Sequence, residues 1–389
     1  MKTLDLAQQA FPHTTQLRRY FHRHPELAFK EVQTADFIAQ HLREMGYETR
    51  TNIGGTGVIG LWQTHKPGPN ILLRFDMDAL PIQESTGHDF CSETPGIMHA
   101  CGHDGHMAIG LTLAELIRDF PEASGTYKFV FQPAEEIGRG ALAMISADVL
   151  ESPKPDYCLA IHLWAEKPFG WIGLTQGAVM AASSTFGIKI VGKGGHGARP
   201  QASRDPVLAA SQIVVAIQSI VSRNVPPLEP AVLSVTTLHG GSAPNVIPES
   251  VELGGTLRAF SEETNALLGE RMKTIAEKSA EALGCQAEVT IQKETIPVVN
   301  DARVVKQISA GLQPVLPMAT IDEAYRTTIS EDFGYFIDQI PGAMIFIGAG
   351  DEKERKSFPH HHPKFDINEK ALWMATAVLL QSCFELSKP

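Results

Sequence analysis

A short segment between residues 99 and 106 is rich in side chains that bind transition metals. It reads His99-Ala-Cys101-Gly-His103-Asp104-Gly-His106, so three histidines, a cysteine and an aspartate lie within eight residues. Thiolate and imidazole are preferred ligands of zinc-like ions, which often bind on loops carried by a rigid scaffold. The alternative is a helix N-terminus capped by Asp104, with incidental histidines. The ligand chemistry favours a metal site.

Two adjacent carboxylates, Glu135 and Glu136, follow the apolar run Phe129–Phe131. One carboxylate at such a strand end can bind a metal ion, while the other accepts a proton from water. An acidic helix start, favoured by the helix dipole, produces the same pattern. Taken alone, the pair is therefore a weak signal for catalysis.

Histidines also occur in two places far from this segment. His162 lies inside the apolar run 159–164, and His360, His361 and His362 are consecutive. A histidine in a buried strand is usually a core residue, but His162 is also predicted at a strand's carboxyl end, where α/β sheets carry their sites. Neighbours in an extended chain point in opposite directions, so at most two of the three consecutive histidines can face one site.

The segment Gly192–Gly197 matches the glycine pattern of dinucleotide-binding loops, G-x-G-x-x-G. That fingerprint requires a helix opening at the third glycine and an acidic strand end about 20 residues later, and neither is predicted here. We interpret 192–197 as a flexible turn that carries His196 to a ligand. The patterns H-E-x-x-H, G-x-S-x-G, S-x-x-K and Walker A do not occur, whereas Cys101 as a nucleophile stays open.

The predicted strands and helices that must position these residues follow one another in two different orders. Residues up to about 182 alternate strand and helix signals, which predicts an α/β domain with a mostly parallel sheet covered on both faces. The predicted helices lie at 17–21, 31–45, 107–119 and 141–150, and the predicted strands at 57–62, 71–75, 129–131 and 157–163. The segment 294–389 again alternates helix and strand signals, so 1–182 and 294–389 are predicted to form one discontinuous catalytic domain.

The intervening segment, 183–293, has the order strand-helix-strand-strand-helix-strand. This βαββαβ order is typical of a ferredoxin-like domain, and about 110 residues suit one small domain. The sequence therefore predicts a second domain inserted into the first.

Composition excludes several classes of protein. The chain has 389 residues, 43% of them apolar, and a net charge of −11, which disfavours nucleic acid as a partner. No run approaches the roughly 18 apolar residues of a membrane span, and Met1–Ala10 does not resemble a signal peptide. Five widely spaced cysteines are not a disulfide framework, so we expect a cytoplasmic protein.

Six motifs, taken together and in this order, carry a specific resemblance. They are Arg74–Pro81 (RFDMDALP), Met98–Asp104 (MHACGHD), Phe131–Glu136 (FQPAEE), Ile161-His162, Gly194–Gly197 (GGHG) and Asn245–Pro248 (NVIP). The chain resembles the M20 metallopeptidase family, in particular its amidohydrolase branch of N-acyl-amino-acid, hippurate and auxin-conjugate hydrolases. The resemblance extends from His24 to His361.

The resemblance implies a two-metal centre in which Cys101 bridges two divalent ions and Glu135 is the general base that activates water. The remaining ligands that it implies are His103, Glu136, His162 and His361. His361 is chosen over its two neighbours by the family's His-x-Pro register. Zinc, manganese and cobalt all suit this ligand set.

The resemblance also assigns residues around the metals. His196, on the inserted lid domain of the partner subunit, would hold the tetrahedral oxyanion. Asn245 and Arg258 would bind the substrate's carboxylate, and Asp76 and Asp78 would orient the ligands. A homodimer or higher homo-oligomer formed through the inserted domain is implied.

The predicted function is hydrolysis of N-acetyl or N-benzoyl amino acids to a carboxylic acid and a free amino acid. The nearest alternative is a dipeptidase or carboxypeptidase of the same superfamily, and a remote one is an NAD-binding oxidoreductase. A metal-binding protein without catalysis is disfavoured by Glu135, a carboxylate that the metals do not need. The segment Ile137–Gly140 is less glycine-rich than the family pattern, and Arg139 there could alter the charge of the site.

Overall fold

The computed structural model describes residues 2–351 and 358–388. The chain divides into two compact units: unit 1 comprises Met1–Val179, Val298–Arg326 and Asp332–Pro389, and unit 2 comprises Met180–Pro297 and Thr327–Glu331. Unit 2 is longer than the predicted insertion 183–293. The return of Thr327–Glu331 to unit 2 was not predicted, and it has a local cause. Met180 pairs with Thr327, and the Ala181 amide donates a hydrogen bond to the Ile329 carbonyl at 3.2 Å.

The secondary structure follows the chain in three parts. Up to Met180 the elements are α1 (Lys2–Arg23), α2 (Val32–Glu44), β1 (Glu48–Ile53), β2 (Gly57–Gln63), β3 (Asn70–Asp76), α3 (His103–Asp119), β4 (Thr126–Gln132), α4 (Gly140–Ser146), β5 (Tyr157–Pro168), β6 (Trp171–Gly173) and β7 (Gly177–Met180). In unit 2 they are β8 (Ala182–Val191), β9 (Gly195–His196), a 3-10 turn (Pro200–Ala202), α5 (Pro206–Ile217), α6 (Ser219–Arg223), β10 (Ala231–His239), β11 (Val246–Ile247), β12 (Ser250–Ala259), α7 (Glu262–Ala282) and β13 (Gln286–Thr295). The last part has β14 (Val298–Asn300), α8 (Ala302–Leu312), β15 (Thr320–Asp322), α9 (Gly334–Ile337), β16 (Gly342–Gly350) and α10 (Lys370–Leu386).

Unit 1 contains an eight-stranded sheet of order β1-β2-β4-β3-β5-β16-β6-β15. Its centre, β4-β3-β5-β16, is parallel, and these strands are buried almost throughout. The pairs β1–β2, β2–β4 and β16–β6 are antiparallel, so the sheet is mixed rather than mostly parallel as predicted. The antiparallel pairing of β1 with β2 at one edge of the sheet has a local cause. Gly54 and Gly55 adopt positive φ angles of 62° and 112°, which lets β1 turn directly back into β2.

The core of unit 1 lies between this sheet and its helices, where α1, α3 and α10 pack against one another. The first turn of α3 approaches β5 very closely. A Cβ added at Gly105 would lie 2.5 Å from Leu163 Cδ1, so a larger residue there would force the Leu163 side chain to move. This close packing brings the start of α3 next to the strand that carries His162.

Unit 2 is a four-stranded antiparallel sheet of order β10-β12-β8-β13 with α5 and α7 packed on one face. The Asp205 carboxylate caps α5 by accepting hydrogen bonds from two backbone amides, and Ser261 caps α7. The predicted single helix 206–221 is divided at Gln218 into α5 and α6. By length and composition the stretch 206–223 could cross a membrane, but this is weak evidence because Ile213 and Ile217 are buried core residues of unit 2.

Candidate metal centre

Three neighbouring parallel strands bring the candidate residues of unit 1 to one edge of the sheet. Asp76 and Asp78 lie at the end of β3, Glu135 and Glu136 follow β4, and His162 lies in β5. The carboxyl ends of β3 and β4 meet at the same edge, and the pairing of Arg74 with Ala160 brings His162 level with it, although β5 continues to Pro168 and His162 is not at its end as predicted. Cys101 and His103 join them from the start of α3, which begins at His103 rather than near Met107.

The ligand atoms form two groups that share one cysteine. Cys101 lies with His103 and His162 in one group, and with Glu136 and His361 in the other. Within each group the ligand atoms lie within 4.8 Å of one another. The five residues predicted as ligands are thus close together, with Cys101 common to both groups.

The imidazoles of the first group direct Nε2 towards the centre, because each Nδ1 donates to a backbone carbonyl. His103 Nδ1 donates to the Asp78 carbonyl at 2.8 Å, and His162 Nδ1 donates to the Leu163 carbonyl at 3.0 Å. His162 Nε2 lies 3.6 Å from Cys101 Sγ. In the described part of the chain, His103 Nε2 and Glu136 Oε1 are buried without a hydrogen-bond partner. Buried donors and acceptors are normally satisfied, so these orphaned atoms and the Cys, His and carboxylate set fit a bound metal.

The electrostatics of the centre attract cations. Burial alone would lower the pKa of His103, but Asp76, Asp78 and Glu136 together raise it to about 10. A pKa displaced in this direction reports a negative local potential, because a proton on that ring is stabilised by the surrounding carboxylates. His162 differs. Burial, reinforced by neighbouring histidines, holds its pKa well below the usual range, so it is a neutral imidazole that can bind a metal.

Two other histidines of the 99–106 segment do not face the centre as ligands. His106 Nδ1 donates to Asp76 Oδ1 at 2.6 Å, and its Nε2 accepts from the Leu163 amide at 3.0 Å, so both ring nitrogens are used. His99 is buried and belongs to neither of the two groups that share Cys101. Asp76 itself is held by the guanidinium of Arg74. The imidazole nearest to the Asp76 carboxylate is that of His106, which is not one of the predicted ligands.

Asp78 supports the centre through both its backbone and its side chain. Its carbonyl fixes His103, as described above. Its carboxylate oxygens accept from the amides of Glu135 and Glu136, each at 3.0 Å. The Glu135 carboxylate lies 4.0 Å from His103 Nε2, beside the first ligand group. Arg139, which sequence analysis singled out nearby, is exposed.

The three consecutive histidines have different environments. His361 Nε2 lies 3.2 Å from Glu136 Oε2, and its amide donates to the Ala100 carbonyl at 2.8 Å. His360 donates from Nε2 to the Leu163 carbonyl at 3.0 Å. His361 has a φ of 66°, so the chain is not extended here and strict alternation of side chains does not apply.

Asp104 does not cap α3. Gly102, with φ of 90°, occupies the cap position, and Asp104 instead accepts hydrogen bonds from Arg18 at 3.0 Å and His22 at 2.8 Å. Arg18 and Asp104 are each about 1% exposed. This buried network holds the first turn of α3, and thereby His103, against α1.

Sequence reasoning missed several buried polar residues that support the site. Arg74 bonds Gln132 at 2.9 Å and Asp332 at 3.0 Å, and Gln132 bonds Asp332 at 2.8 Å. Asp332 comes from far along the chain, and nothing in its local pattern distinguishes it from an ordinary acidic loop. Glu31, a fully buried carboxylate that contacts Ala134, was missed for the same reason.

Two of the remaining candidates, His196 and Asn245, meet within unit 2. The short strands β9 and β11 pair, with His196 opposite Val246, and the Gly197 amide donates to the Asn245 carbonyl at 2.8 Å. The predicted flexible turn 192–197 is therefore partly a paired strand, and no helix opens at its third glycine. This excludes the dinucleotide fingerprint at this segment.

Arg258 lies elsewhere in unit 2. Ser250, at the start of β12, pairs with Val191, next to the 192–197 segment, whereas Arg258 pairs with Ser183 near the other end of the same strands. Eight residues of strand separate Ser250 from Arg258, a distance of about 26 Å at ~3.3 Å per residue. Within unit 2, Arg258 is thus remote from the ribbon that carries His196.

Comparison with known proteins identifies the family. The model of the peptidase family M20/M25/M40 matches residues 72–384. The chain is 38% identical to an N-acetyl-L-cysteine deacetylase of Bacillus subtilis, over 95% of this chain and 87% of that protein. It is also 38% identical to the IAA-amino acid hydrolase ILR1-like 2 of Arabidopsis thaliana, over 97% and 86% of the two chains.

A solved structure agrees with these matches. The YXEP protein of Bacillus subtilis, described as a dinuclear metal binding peptidase from the M20 family, superposes with a TM-score of 0.85 and 33% identity, covering 98% of this chain and 99% of that one. The α/β fold with a mixed central sheet is thereby shared. The chain belongs to the M20/M25/M40 peptidase family and is a metal-dependent hydrolase of amide bonds.

Proposed function

We propose that this protein hydrolyses N-acyl amino acids, of N-acetyl or N-benzoyl type, to a carboxylic acid and a free amino acid. The observation that carries the proposal is the pair of ligand groups sharing Cys101, with the Glu135 carboxylate beside them. The similarity to proteins named N-acetyl-L-cysteine deacetylase and IAA-amino acid hydrolase supports an acylated amino acid as the substrate class.

The ligands are assigned to two divalent ions. Cys101 contributes to both; His103 and His162 complete one ligand set, and Glu136 and His361 complete the other. When bound, such ions would polarise the amide carbonyl and lower the pKa of a water molecule. The mixture of thiolate, imidazole and carboxylate donors suits zinc, manganese or cobalt.

Glu135 is assigned as the general base. It accepts a proton from the attacking water and then delivers that proton to the leaving amine nitrogen. The Asp78 carboxylate holds the backbone of Glu135 and Glu136 together, so the base and the adjacent ligand keep a fixed separation. In this account Asp76 and Asp78 orient other groups and do not react themselves.

His196 of the partner subunit is proposed to hold the negative charge that develops on the carbonyl oxygen. The Ala198 amide donates to His196 Nδ1 at 3.0 Å, which leaves Nε2–H of the neutral ring as the available donor. A donor of this kind stabilises an oxyanion. Asn245 and Arg258 are proposed to bind the substrate's carboxylate; because Arg258 is remote from the ribbon within unit 2, the two residues would reach one substrate from different subunits.

Unit 2 is proposed to be a ferredoxin-like lid and dimerisation domain, giving a homodimer or a higher homo-oligomer. Its strand β10 lies at an edge of the sheet, and α5 exposes Val207, Leu208 and Val215. Unpaired strand edges and exposed apolar side chains favour association with another chain. The net charge of −11 argues against nucleic acid as a partner, and we propose a cytoplasmic location without membrane association.

The test is release of free amino acid from a panel of N-acetyl and N-benzoyl amino acids and dipeptides. The enzyme would be treated with a chelator and assayed with and without added manganese, zinc or cobalt. We expect metal-dependent release from the acyl compounds. Release from none of the acyl compounds by a metal-loaded, folded enzyme would contradict the proposal.

A second candidate is a dipeptidase or carboxypeptidase with the same metals and the same base. It is favoured by the similarity to a protein described as a dinuclear metal binding peptidase. Release from the dipeptides alone would select this alternative and would leave the roles of Cys101 and Glu135 unchanged.

A further inference from the structure

The turn Pro133–Glu136, here called the carboxylate turn, presents both Glu135 and Glu136. Its second residue, Ala134, has a φ of 54°, in the left-handed region that residues other than glycine rarely adopt. Such a conformation persists only where the surrounding structure holds it. The groups that hold the carboxylate turn therefore decide where the two carboxylates point.

Two buried carboxylates hold three successive amides of this turn. The Ala134 amide donates to Glu31 Oε1 at 3.0 Å, while the next two amides, of Glu135 and Glu136, donate to the Asp78 carboxylate. Every backbone N–H from 134 to 136 is thus bound to a carboxylate from another part of the chain.

Glu31 is well placed to fix this turn. It is fully buried, it precedes α2, and its second oxygen accepts a hydrogen bond from the Thr56 hydroxyl in the turn between β1 and β2. The side chain therefore ties the carboxylate turn to two separate segments of unit 1. Hydrogen bonds to a charged acceptor are stronger than neutral ones, and more so when buried.

We propose that Glu31 is a positioning residue that holds Glu135 in place through the Ala134 amide. The inference rests on the proposed function, in which Glu135 is the general base. Asp78 contacts the base, the adjacent metal ligand Glu136 and, through its carbonyl, His103, whereas Glu31 contacts the turn at the residue before the base. Loss of Glu31 should therefore affect the rate and leave metal binding intact.

A matched control lies five residues earlier in the chain. The Glu26 carboxylate also accepts from two backbone amides, those of Gln33 and Thr34 at 3.2 and 2.8 Å, but these belong to α2. Glu26→Ala removes a carboxylate that supports the backbone without freeing the carboxylate turn. It separates a general loss of stability from the positioning role.

The experiment compares Glu31→Ala, Glu31→Gln, Glu31→Asp and Glu26→Ala with the wild-type protein. Glu31→Gln keeps an acceptor for the Ala134 amide, and the Thr56 hydroxyl can accept from the new amide group. Glu31→Asp keeps the charge, but its shorter chain does not reach both partners, and it serves as the test if Glu31→Ala does not fold. Each variant is measured for bound metal, kcat and KM on the active acyl substrate, and hydrogen–deuterium exchange of residues 130–140.

For Glu31→Ala we expect faster amide exchange at Ala134–Glu136. The kcat should fall at least ~10-fold, because small displacements of a reacting group cost up to ~100-fold in rate. KM and bound metal should stay within about twofold of wild type. Glu31→Asp should lie between this variant and wild type. Glu31→Gln should recover most of kcat, and Glu26→Ala should retain wild-type kcat and wild-type exchange in residues 130–140.

Three results would overturn the inference. They are unchanged exchange at Ala134–Glu136 in Glu31→Ala, an equal fall in kcat in Glu26→Ala, and loss of metal in parallel with kcat. If the wild-type protein hydrolyses none of the acyl compounds, the proposed function fails separately. Accelerated exchange at Ala134–Glu136 in Glu31→Ala and Glu31→Asp, but not in Glu31→Gln or Glu26→Ala, would then still support Glu31 as the residue that holds the turn.

Discussion

The metal-ligand cluster of unit 1 and the ribbon of unit 2, formed by β9 and β11, hold their candidate residues in different ways. In the cluster, His103 and His162 are buried and each has one ring nitrogen fixed by a backbone carbonyl. In the ribbon, His196 and Asn245 are exposed. His196 accepts one hydrogen bond, from the amide of Ala198 two residues later.

This difference indicates two kinds of task. A metal ligand must be held in a fixed orientation, and second-shell hydrogen bonds provide that orientation. A group that meets a substrate can remain exposed until the substrate arrives. Changes in the cluster should therefore alter metal content or abolish the chemistry, whereas changes in the ribbon should alter the rate and leave the metals in place.

The largest effect is expected from Glu135→Gln. Because the amide side chain cannot accept the proton from water, kcat should fall by roughly 10²–10⁴. Bound metal should stay near the wild-type level, since Glu135 is not one of the assigned ligands. Steady-state kinetics and elemental analysis check both parts. A parallel loss of metal would mean that Glu135 is a ligand and that its role and that of Glu136 are exchanged.

The next effect is expected from His196→Ala in the ribbon. Loss of one oxyanion donor should lower kcat by about 10²–10³ without changing metal content. Mixing this variant with Glu135→Gln tests whether the histidine acts across subunits, because one wild-type site then forms in each mixed dimer. Recovered activity is the expected result. A verified mixed dimer with no activity would contradict action in trans.

The buried network beneath the cluster can be tested through the stability of the protein. Asp104→Asn weakens the buried pair with Arg18 beneath the cluster and should lower the free energy of unfolding by about 3 kcal/mol, as expected when a buried ion pair is broken. Asp119→Asn is the control, since its pair with Arg118 is largely exposed and should contribute less than about 1 kcal/mol. Urea denaturation of both variants measures the difference. Equal losses would mean that the buried network does not support α3.

The smallest effect is a pH dependence that arises beside this network. Burial lowers the pKa of His22, but hydrogen bonds to Asp104 and Glu84 outweigh it and raise the pKa to about 9. A raised pKa stabilises the folded state below the unfolded value of 6.5, and this stabilisation is lost as pH rises through 9. The free energy of unfolding should fall between pH 6.5 and 9 in wild type and fall less in His22→Gln. Parallel pH curves for the two proteins would exclude the effect.

Sequence alone predicted a large part of this molecule. The strands β2, β3, β4 and β5 are apolar runs, and the helices α3, α5 and α7 lie in segments with a helical pattern of apolar residues, so their existence followed from the sequence. The α/β class and the family were likewise accessible, because the motifs around Cys101, Glu135 and His162 are local in the chain.

What could not be predicted depends on contacts distant in sequence. The antiparallel edges of the sheet depend on Gly54 and Gly55 at positive φ, which no apolar periodicity signals. Glu31 and Asp332 act through hydrogen bonds to residues about 100 to 260 positions away, so no local pattern marks them. A helix cap at Asp104 was the alternative to a metal site, and its actual partner Arg18, 86 residues earlier, is not signalled by any local pattern.

The most direct test of the two-ion account is the metal-to-protein ratio of wild type and Cys101→Ala after equilibration with manganese or zinc. Cys101 is the one residue common to both ligand groups, so the account predicts two ions per wild-type chain and a loss at both positions in the variant. His162→Ala and His361→Ala should each weaken one position. A Cys101→Ala protein that retains two tightly bound ions would contradict the assignment.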